Sequence, residues 1–230
     1  MTGQTANVHK KTVIFDMDGL MFDSERLCIR AYDYAGEKYG VGKLGYLVLE
    51  TLGMNHAASQ PIWKKYLGEN YDAAGIRRYV DEFYEDFHKN SKMPVKKGLY
   101  RLVEYLSTHG YDMAVASSTS TKTVIANLEE AQIRQYFKVV IGGDQLKASK
   151  PAPDIYLMAC ECLGRSPSEC YALEDSRNGV LSASSAGCMT IMVPDIWQPD
   201  DEFLNHVHKK FEDLDEVRDY FTKMDMEDSE

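Results

Sequence analysis

The chain has 230 residues and a formal net charge of −10, with 44% hydrophobic and 27% charged residues, the balance of an ordinary globular protein and not of a disordered or fibrous chain. Its Lys and Arg residues are spread along the chain, which argues against nucleic acid as a partner, because that binding rests on phosphate neutralisation by gathered cations. A small phosphorylated molecule remains compatible with the acidic total if one local site supplies its own cation.

Met1 to Lys11 is polar, and no later stretch approaches the apolar run needed to span a bilayer. The expectation is a cytoplasmic, monomeric protein without a membrane partner. The first apolar run, Thr12 to Phe15, has strand length and ends in Asp16-Met17-Asp18-Gly19. In extended backbone, residues i and i+2 face the same side, so Asp16 and Asp18 can address one pocket while Met17 turns away.

From about Asp23 to Met93 the pattern changes. Apolar residues such as Phe83 and Phe87 recur at helical spacing and no convincing strand is found, which predicts a helical insertion. Its ends, near Asp23 and Pro94, are expected on one edge of the remaining fold, so that residues 23–93 form a hinged cap and residues 1–22 with 94–230 the core. A cap can close over a site and exclude water.

Beyond it, apolar runs return at Met113 to Ala116, Lys138 to Ile141, Tyr171 to Leu173 and Thr190 to Val193, separated by amphipathic stretches of helical length. Strand–helix alternation predicts an α/β fold with a doubly wound parallel sheet. Ligands in that architecture bind beyond the carboxyl ends of the strands. The residues there are Asp16 and Asp18, Ser117 and Ser118, and Glu174 and Asp175.

Two like charges ~4 Å apart repel by about 4 kcal/mol at an effective dielectric of 20, so four acids gathered at one sheet edge require a cation. Oxygen-only ligation favours Mg2+ over zinc. Lys150, between Ser149 and Pro151 and ahead of a helix that Pro153 can begin, is placed to hold a phosphate with a fixed ammonium. Ser117-Ser118-Thr119 precedes a helix and offers a hydroxyl and backbone N–H donors to the same group. Ser176 is the expected start of a helix through Ala186.

The five cysteines form no C-x-x-C pair, so they are read as reduced, mostly buried thiols, without disulfide framework or zinc. Of the six histidines, His206 and His208 are assigned to the surface, and none builds a rival metal site. The acidic end from Asp225 to Glu230 is expected to be frayed and solvated.

In this order the motifs resemble the haloacid dehalogenase superfamily, in particular its phosphatases and phosphoglucomutases with a helical cap after the first motif. The resemblance rests on Phe15-Asp16-Met17-Asp18-Gly19 through Glu25, on Ala116-Ser117-Ser118, on Lys150-Pro151-Ala152-Pro153-Asp154 and on Leu173-Glu174-Asp175-Ser176. It implies that Asp16 attacks phosphorus and Asp18 serves as acid and base. It also implies that Ser117, Ser118 and Lys150 hold the phosphoryl group, and that Asp16, the Asp18 main-chain carbonyl, Asp175 and Glu174 surround Mg2+.

Asp18 counts against the dehalogenases, which need no second acid, and Thr51 to Ser59 lacks the Lys implied for phosphonate cleavage. A non-catalytic phosphate binder would have no need of every chemical position being filled. The phosphoglucomutases resemble this chain but carry a His on the first cap helix and an Arg in a cap loop, where this chain has Cys28 and His56. Cys28 is read as core packing and His56 as a surface-loop residue. The stretch from Ile14 to Leu27 is also similar to pseudouridine-5'-phosphatases and sugar-phosphate phosphatases. The expected activity is Mg2+-dependent hydrolysis of a small phosphorylated metabolite, a sugar phosphate or a nucleotide-type phosphomonoester, with a β-phosphoglucomutase as the alternative.

Overall fold

The computed structural model describes residues 12–51, 54 and 56–227, except the side chain of His56. Six strands, β1 (Thr12–Phe15), β2 (Asp112–Ser117), β3 (Val139–Gly142), β4 (Cys170–Glu174), β5 (Met189–Met192) and β6 (Lys209–Lys210), form one sheet in the order β3-β2-β1-β4-β5-β6. All neighbouring pairs are parallel. The five expected strands are present with ends shifted by no more than two residues. The two-residue β6 was not expected, because Lys209-Lys210 is too short and polar to carry a hydrophobic signal.

Alternation of side chains along each strand explains why the sheet is covered on both faces. Val13 and Phe15, Met113 and Val115, and Tyr171 and Leu173 enter one buried cluster. The intervening Ile14, Ala114, Ala116 and Ala172 enter another. On the first face lie α5 (Leu99–Thr108), α6 (Thr121–Glu130) and α9 (Leu214–Glu227), through residues such as Leu102, Val124 and Phe221. On the second lie α7 (Asp154–Leu163) and α8 (Arg177–Ala186), whose Ala159 and Ala183 meet the strand alanines. The small residues let these two helices approach the sheet closely, which brings their N-terminal ends near the strand ends.

Between β1 and β2 run α1 (Ser24–Tyr39), α2 (Gly45–Glu50), α3 (His56–Leu67) and α4 (Ala73–Asn90). Gly40, in the left-handed conformation at φ 88°, ends α1, and the Asp72 carboxylate caps α4 by accepting from the Gly75 N–H at 2.9 Å. Ala31, Ala35, Leu47, Trp63, Ile76 and Val80 give these helices a buried cluster of their own. The segment leaves and returns at one place: the Asp23 N–H donates to Pro94 O at 2.9 Å and the Lys96 N–H to Met21 O at 2.9 Å.

No helix among the described residues is long and apolar enough to cross a membrane. Cys160, Cys170 and Cys188 are buried, Cys162 is exposed, and none of the five cysteines is in a disulfide. The acidic end is not frayed as far as it is described. It is helical to Glu227, and the Tyr105 and Tyr111 hydroxyls donate to the Asp225 carboxylate at 2.7 and 2.9 Å. Two aromatic hydroxyls, one from α5 and one from the residue before β2, thus compensate for a charge that the sequence read as solvated.

Phe221 anchors α9, packing edge-on against Tyr111 and Tyr171 with ring centroids 5.4 and 5.1 Å away. Phe221→Ala should cost about 3–5 kcal/mol through lost burial and the cavity left behind. The check is a lowered denaturation midpoint with an unchanged slope.

Candidate active site

In the order β3-β2-β1-β4-β5-β6 the chain moves outward one way from β1 and then starts again at β4 on its other side, so a crevice opens where the carboxyl ends of β1 and β4 diverge. The residues leaving these two strands are Asp16 to Gly19 and Glu174 to Ser176. Asp16 extends the pairing of β1, its N–H donating to Leu173 O at 3.0 Å. Met17 is fully buried in the core, while Asp16 and Asp18 both line one cavity, as the two-residue period requires. Gly19 then turns the chain at φ 78°, and a Cβ there would lie 2.1 Å from Asp175 Oδ2. Only glycine combines that backbone with that approach.

One carboxylate oxygen from each of Asp16, Glu174 and Asp175 lies within 4.8 Å of the others, and all three side chains are buried. Beneath them Lys150, 3% exposed, donates to Asp16 Oδ1 at 2.5 Å, Glu174 Oε1 at 2.6 Å and Ala116 O at 3.1 Å. The Tyr156 hydroxyl is a further donor to Glu174 Oε1. Burial pushes the Asp16 and Asp175 carboxyls well above the usual range, with neighbouring carboxylates adding to it. Burial lowers the Lys150 pKa, but Asp16 and Glu174 outweigh it and hold the ammonium above its ordinary value.

One ammonium cannot balance this group. Glu174 Oε2 and Asp175 Oδ1 are buried without any hydrogen-bond partner, and such orphaned acceptors are costly unless something positive meets them. The donor set is oxygen only, which fits a hard divalent cation. The Asp18 carboxylate stands apart from the trio. It accepts from Ser24 Oγ at 2.7 Å, Thr119 Oγ1 at 2.8 Å and Ser117 Oγ at 3.2 Å. These hydroxyls come from the start of α1 and the end of β2, so Asp18 is fixed from both sides of the crevice.

Ser118 lines the cavity, whereas Ser117 is fully buried below it. Lys150 and Glu174 likewise form the floor. The cavity measures about 970 Å³ and runs from this floor between α1, α3 and α4, so Cys28, read as core packing, instead forms part of its wall. His56 opens α3 rather than lying in a loop, and its side chain is outside the described residues. Sequence reasoning assigned no role to Ser24, Glu25 or Tyr156. Ser24 and Glu25 sit inside the quoted first motif, so a signal was present, while nothing in the linear pattern marks Tyr156.

Burial lifts the Glu25 carboxyl from its ordinary 4.5 to about 8, helped by Asp195, Asp18 and Asp16. A raised folded pKa means that the native state holds the proton more tightly than the unfolded chain. Its contribution to stability is therefore complete below about 4.5 and lost as pH rises through about 8. The melting temperature in chelator should fall between about pH 5 and pH 9, and Glu25→Gln should flatten that fall when both proteins are scanned by calorimetry.

The sequence profile of the haloacid dehalogenase-like hydrolases matches residues 13–193, which spans both strand ends and the helices between them. A phosphorylated carbohydrates phosphatase from Thermotoga maritima is 31% identical over 183 residues, covering 77% of this chain and 82% of its own. A bifunctional riboflavin kinase/FMN phosphatase from Arabidopsis thaliana is 32% identical over 193 residues, covering 80% of this chain and 48% of its own. Among solved structures, CbbY from Rhodobacter sphaeroides in complex with phosphate superposes with a TM-score of 0.76 at 26% identity, covering 90% of this chain and 96% of that one. With its motifs at the crevice and its profile matched over most of its length, this chain belongs to the haloacid dehalogenase-like hydrolases.

Proposed function

We propose that this protein is a Mg2+-dependent phosphatase that hydrolyses a small phosphorylated metabolite through an aspartyl phosphate on Asp16. The observation that carries this reading is the buried trio Asp16, Glu174 and Asp175 over Lys150, beside a separately held Asp18. Residues 1–22 and 94–230 act as the catalytic core and residues 23–93 as the cap.

An Asp16 oxygen attacks phosphorus and the bond from phosphorus to the substrate oxygen breaks, with Asp18 giving a proton to the departing alcohol. Water then attacks the same phosphorus, Asp18 takes its proton, and the bond to Asp16 breaks to release inorganic phosphate. Ser24 and Thr119, at 2.7 and 2.8 Å, keep the Asp18 carboxylate on the cavity side of the crevice for both transfers. Lys150 orients the nucleophile from below and, with Ser117 and Ser118, supplies positive charge and donors toward the phosphoryl oxygens. Mg2+, held by Asp16, Asp175, Glu174 and the Asp18 carbonyl, would neutralise charge on the nucleophile and the phosphoryl group.

Hydrolysis is favoured over a mutase reaction by Cys28. Its side chain lines the cavity as a thiol, which carries no positive charge in either protonation state and cannot replace the basic side chain that the mutases place there. The relatives are named for different phosphate esters, phosphorylated carbohydrates and FMN, so the core by itself does not choose the leaving group.

Asp16→Asn should lower phosphate release by more than about 10³-fold. Asp18→Asn should slow turnover by about 10²- to 10⁴-fold while leaving substrate affinity within a few-fold. Colorimetric detection of inorganic phosphate is the readout, and near-normal turnover by Asp16→Asn would reject the covalent route. Chelation should abolish activity and added Mg2+ restore it. With β-glucose 1-phosphate and a trace of the 1,6-bisphosphate, free phosphate should form and little glucose 6-phosphate. Stoichiometric conversion to glucose 6-phosphate would establish the mutase instead.

A further inference from the structure

Three of the helices that line the cavity above the strand ends, α1, α3 and α4, each present residues at helical spacing. Ser24, Cys28 and Tyr32 follow one another four apart on α1, and at about 1.5 Å per residue they climb roughly 12 Å. Ser24 touches Asp18, so Tyr32 stands that far above the proposed point of reaction. On α3, Trp63 packs behind Tyr32 with ring centroids 4.8 Å apart, which backs the phenol with a rigid indole. On α4, Arg77, Tyr84 and His88 share the face toward the cavity, and Tyr84 is a side-chain hydrogen-bond partner of Cys28.

Two properties of this wall restrict the leaving group. Away from the floor it carries the aromatic rings of Tyr32 and Trp63, beyond the reach of a two- or three-carbon phosphate bound at the floor. Among the described residues it also carries little positive charge: Arg77 and His88 are the only basic side chains there that line the cavity. Arg77 Nε already donates to Asp81 Oδ1 at 2.7 Å, and Glu85 lies one turn further along the same face. A second phosphate at Arg77 would meet the carboxylates of Asp81 and Glu85. The Arg77–Asp81 pair instead sets donors beside an acceptor, which complements a ring edge carrying C=O next to N–H.

Building on the phosphatase reading, we propose that the cavity takes a phosphomonoester whose alcohol carries a planar heteroaromatic ring with a lactam or imide edge, and that it rejects bisphosphates. The ring lies against Tyr32 and Tyr84 and its edge meets Arg77 and Asp81. Uridine 5'-monophosphate and flavin mononucleotide are the two probes of this chemistry. Ribose 5-phosphate, which keeps the phosphorylated chain and lacks the ring, is the control.

The experiment measures kcat/KM for the three compounds with the full chain in Mg2+, alongside calorimetric binding of uridine and riboflavin. For at least one of the two ring compounds, kcat/KM should exceed that for ribose 5-phosphate by about tenfold or more, as stacking on an aromatic side chain supplies. Tyr32→Leu, and separately Tyr84→Leu, should shrink that ratio by about tenfold, with circular dichroism confirming that each variant is folded. Fructose 1,6-bisphosphate should be a poorer substrate than fructose 6-phosphate. Ribose 5-phosphate turned over as fast as both ring compounds would overturn this inference and leave the phosphatase intact. If no compound released phosphate, the phosphatase reading would fall, and the binding arm would decide separately: uridine or riboflavin bound in a Tyr32-dependent way supports the ring site, and no binding of either removes it.

Discussion

Lys150 is the contact on which the crevice depends. A single buried ammonium at 2.5 and 2.6 Å from Asp16 and Glu174 allows carboxylates from two strands to stand together where water cannot screen them. Removing one partner from such an arrangement is far more damaging than the net worth of the pair suggests, because a charge is left buried alone. The compensation is incomplete, and Glu174 Oε2 and Asp175 Oδ1 remain without partners. That residual demand for positive charge separates this cluster from an ordinary buried salt bridge and gives the proposed metal site its physical basis.

The fold delivers these groups through sheet order and side-chain size. Because β1 and β4 are neighbours although more than 150 residues separate them in the chain, two acidic strand ends meet at the one place where no crossover helix covers the sheet edge. Alanines on the α7 and α8 face bring those helices close. A Cβ at Gly179 would sit 1.9 Å from Glu174 Oε2, and one at Gly19 would sit 2.1 Å from Asp175 Oδ2. The carboxylates are thus wedged by backbone as well as held by charge.

The helices between β1 and β2 carry a different part of the problem. Their attachment is narrow, with strand-like hydrogen bonds joining Asp23 to Pro94 and Met21 to Lys96. Asp195, after β5, adds ion pairs to Arg26 at 2.5 Å and Lys96 at 2.8 Å, so both connecting segments lean on the same buried carboxylate. The wall that these helices raise adds aromatic rings, Tyr32, Trp63 and Tyr84, and the Arg77–Asp81 pair to the carboxylates and ammonium of the floor. In the proposed reading the floor performs phosphoryl transfer and the wall selects the alcohol.

The strands, the helical insertion and the acidic residues after β1 and β4 were legible in the chain, because apolar period and strand-end position are local properties. So were the caps at Ser176 and around Pro153, which depend on residues next to one another. Other features were beyond that reach. Lys150 was read only as an ammonium for the phosphate, yet it lies against the carboxylates of Asp16, 134 positions away, and Glu174. Asp18 looked like a partner of Asp16, yet hydroxyls from Ser24, Ser117 and Thr119 hold it apart from the carboxylate trio. Asp225 looked solvated, yet two tyrosines, Tyr105 of α5 and Tyr111 just before β2, donate to it. The sequence by itself determined which residue types stand at the ends of strands, since that requires only the period of a strand and the place where it stops. Which of them meet, which are driven apart and what lines the cavity above them was decided by tertiary structure alone, because buried charges take their partners from whatever the packing of distant segments brings within about 3 Å.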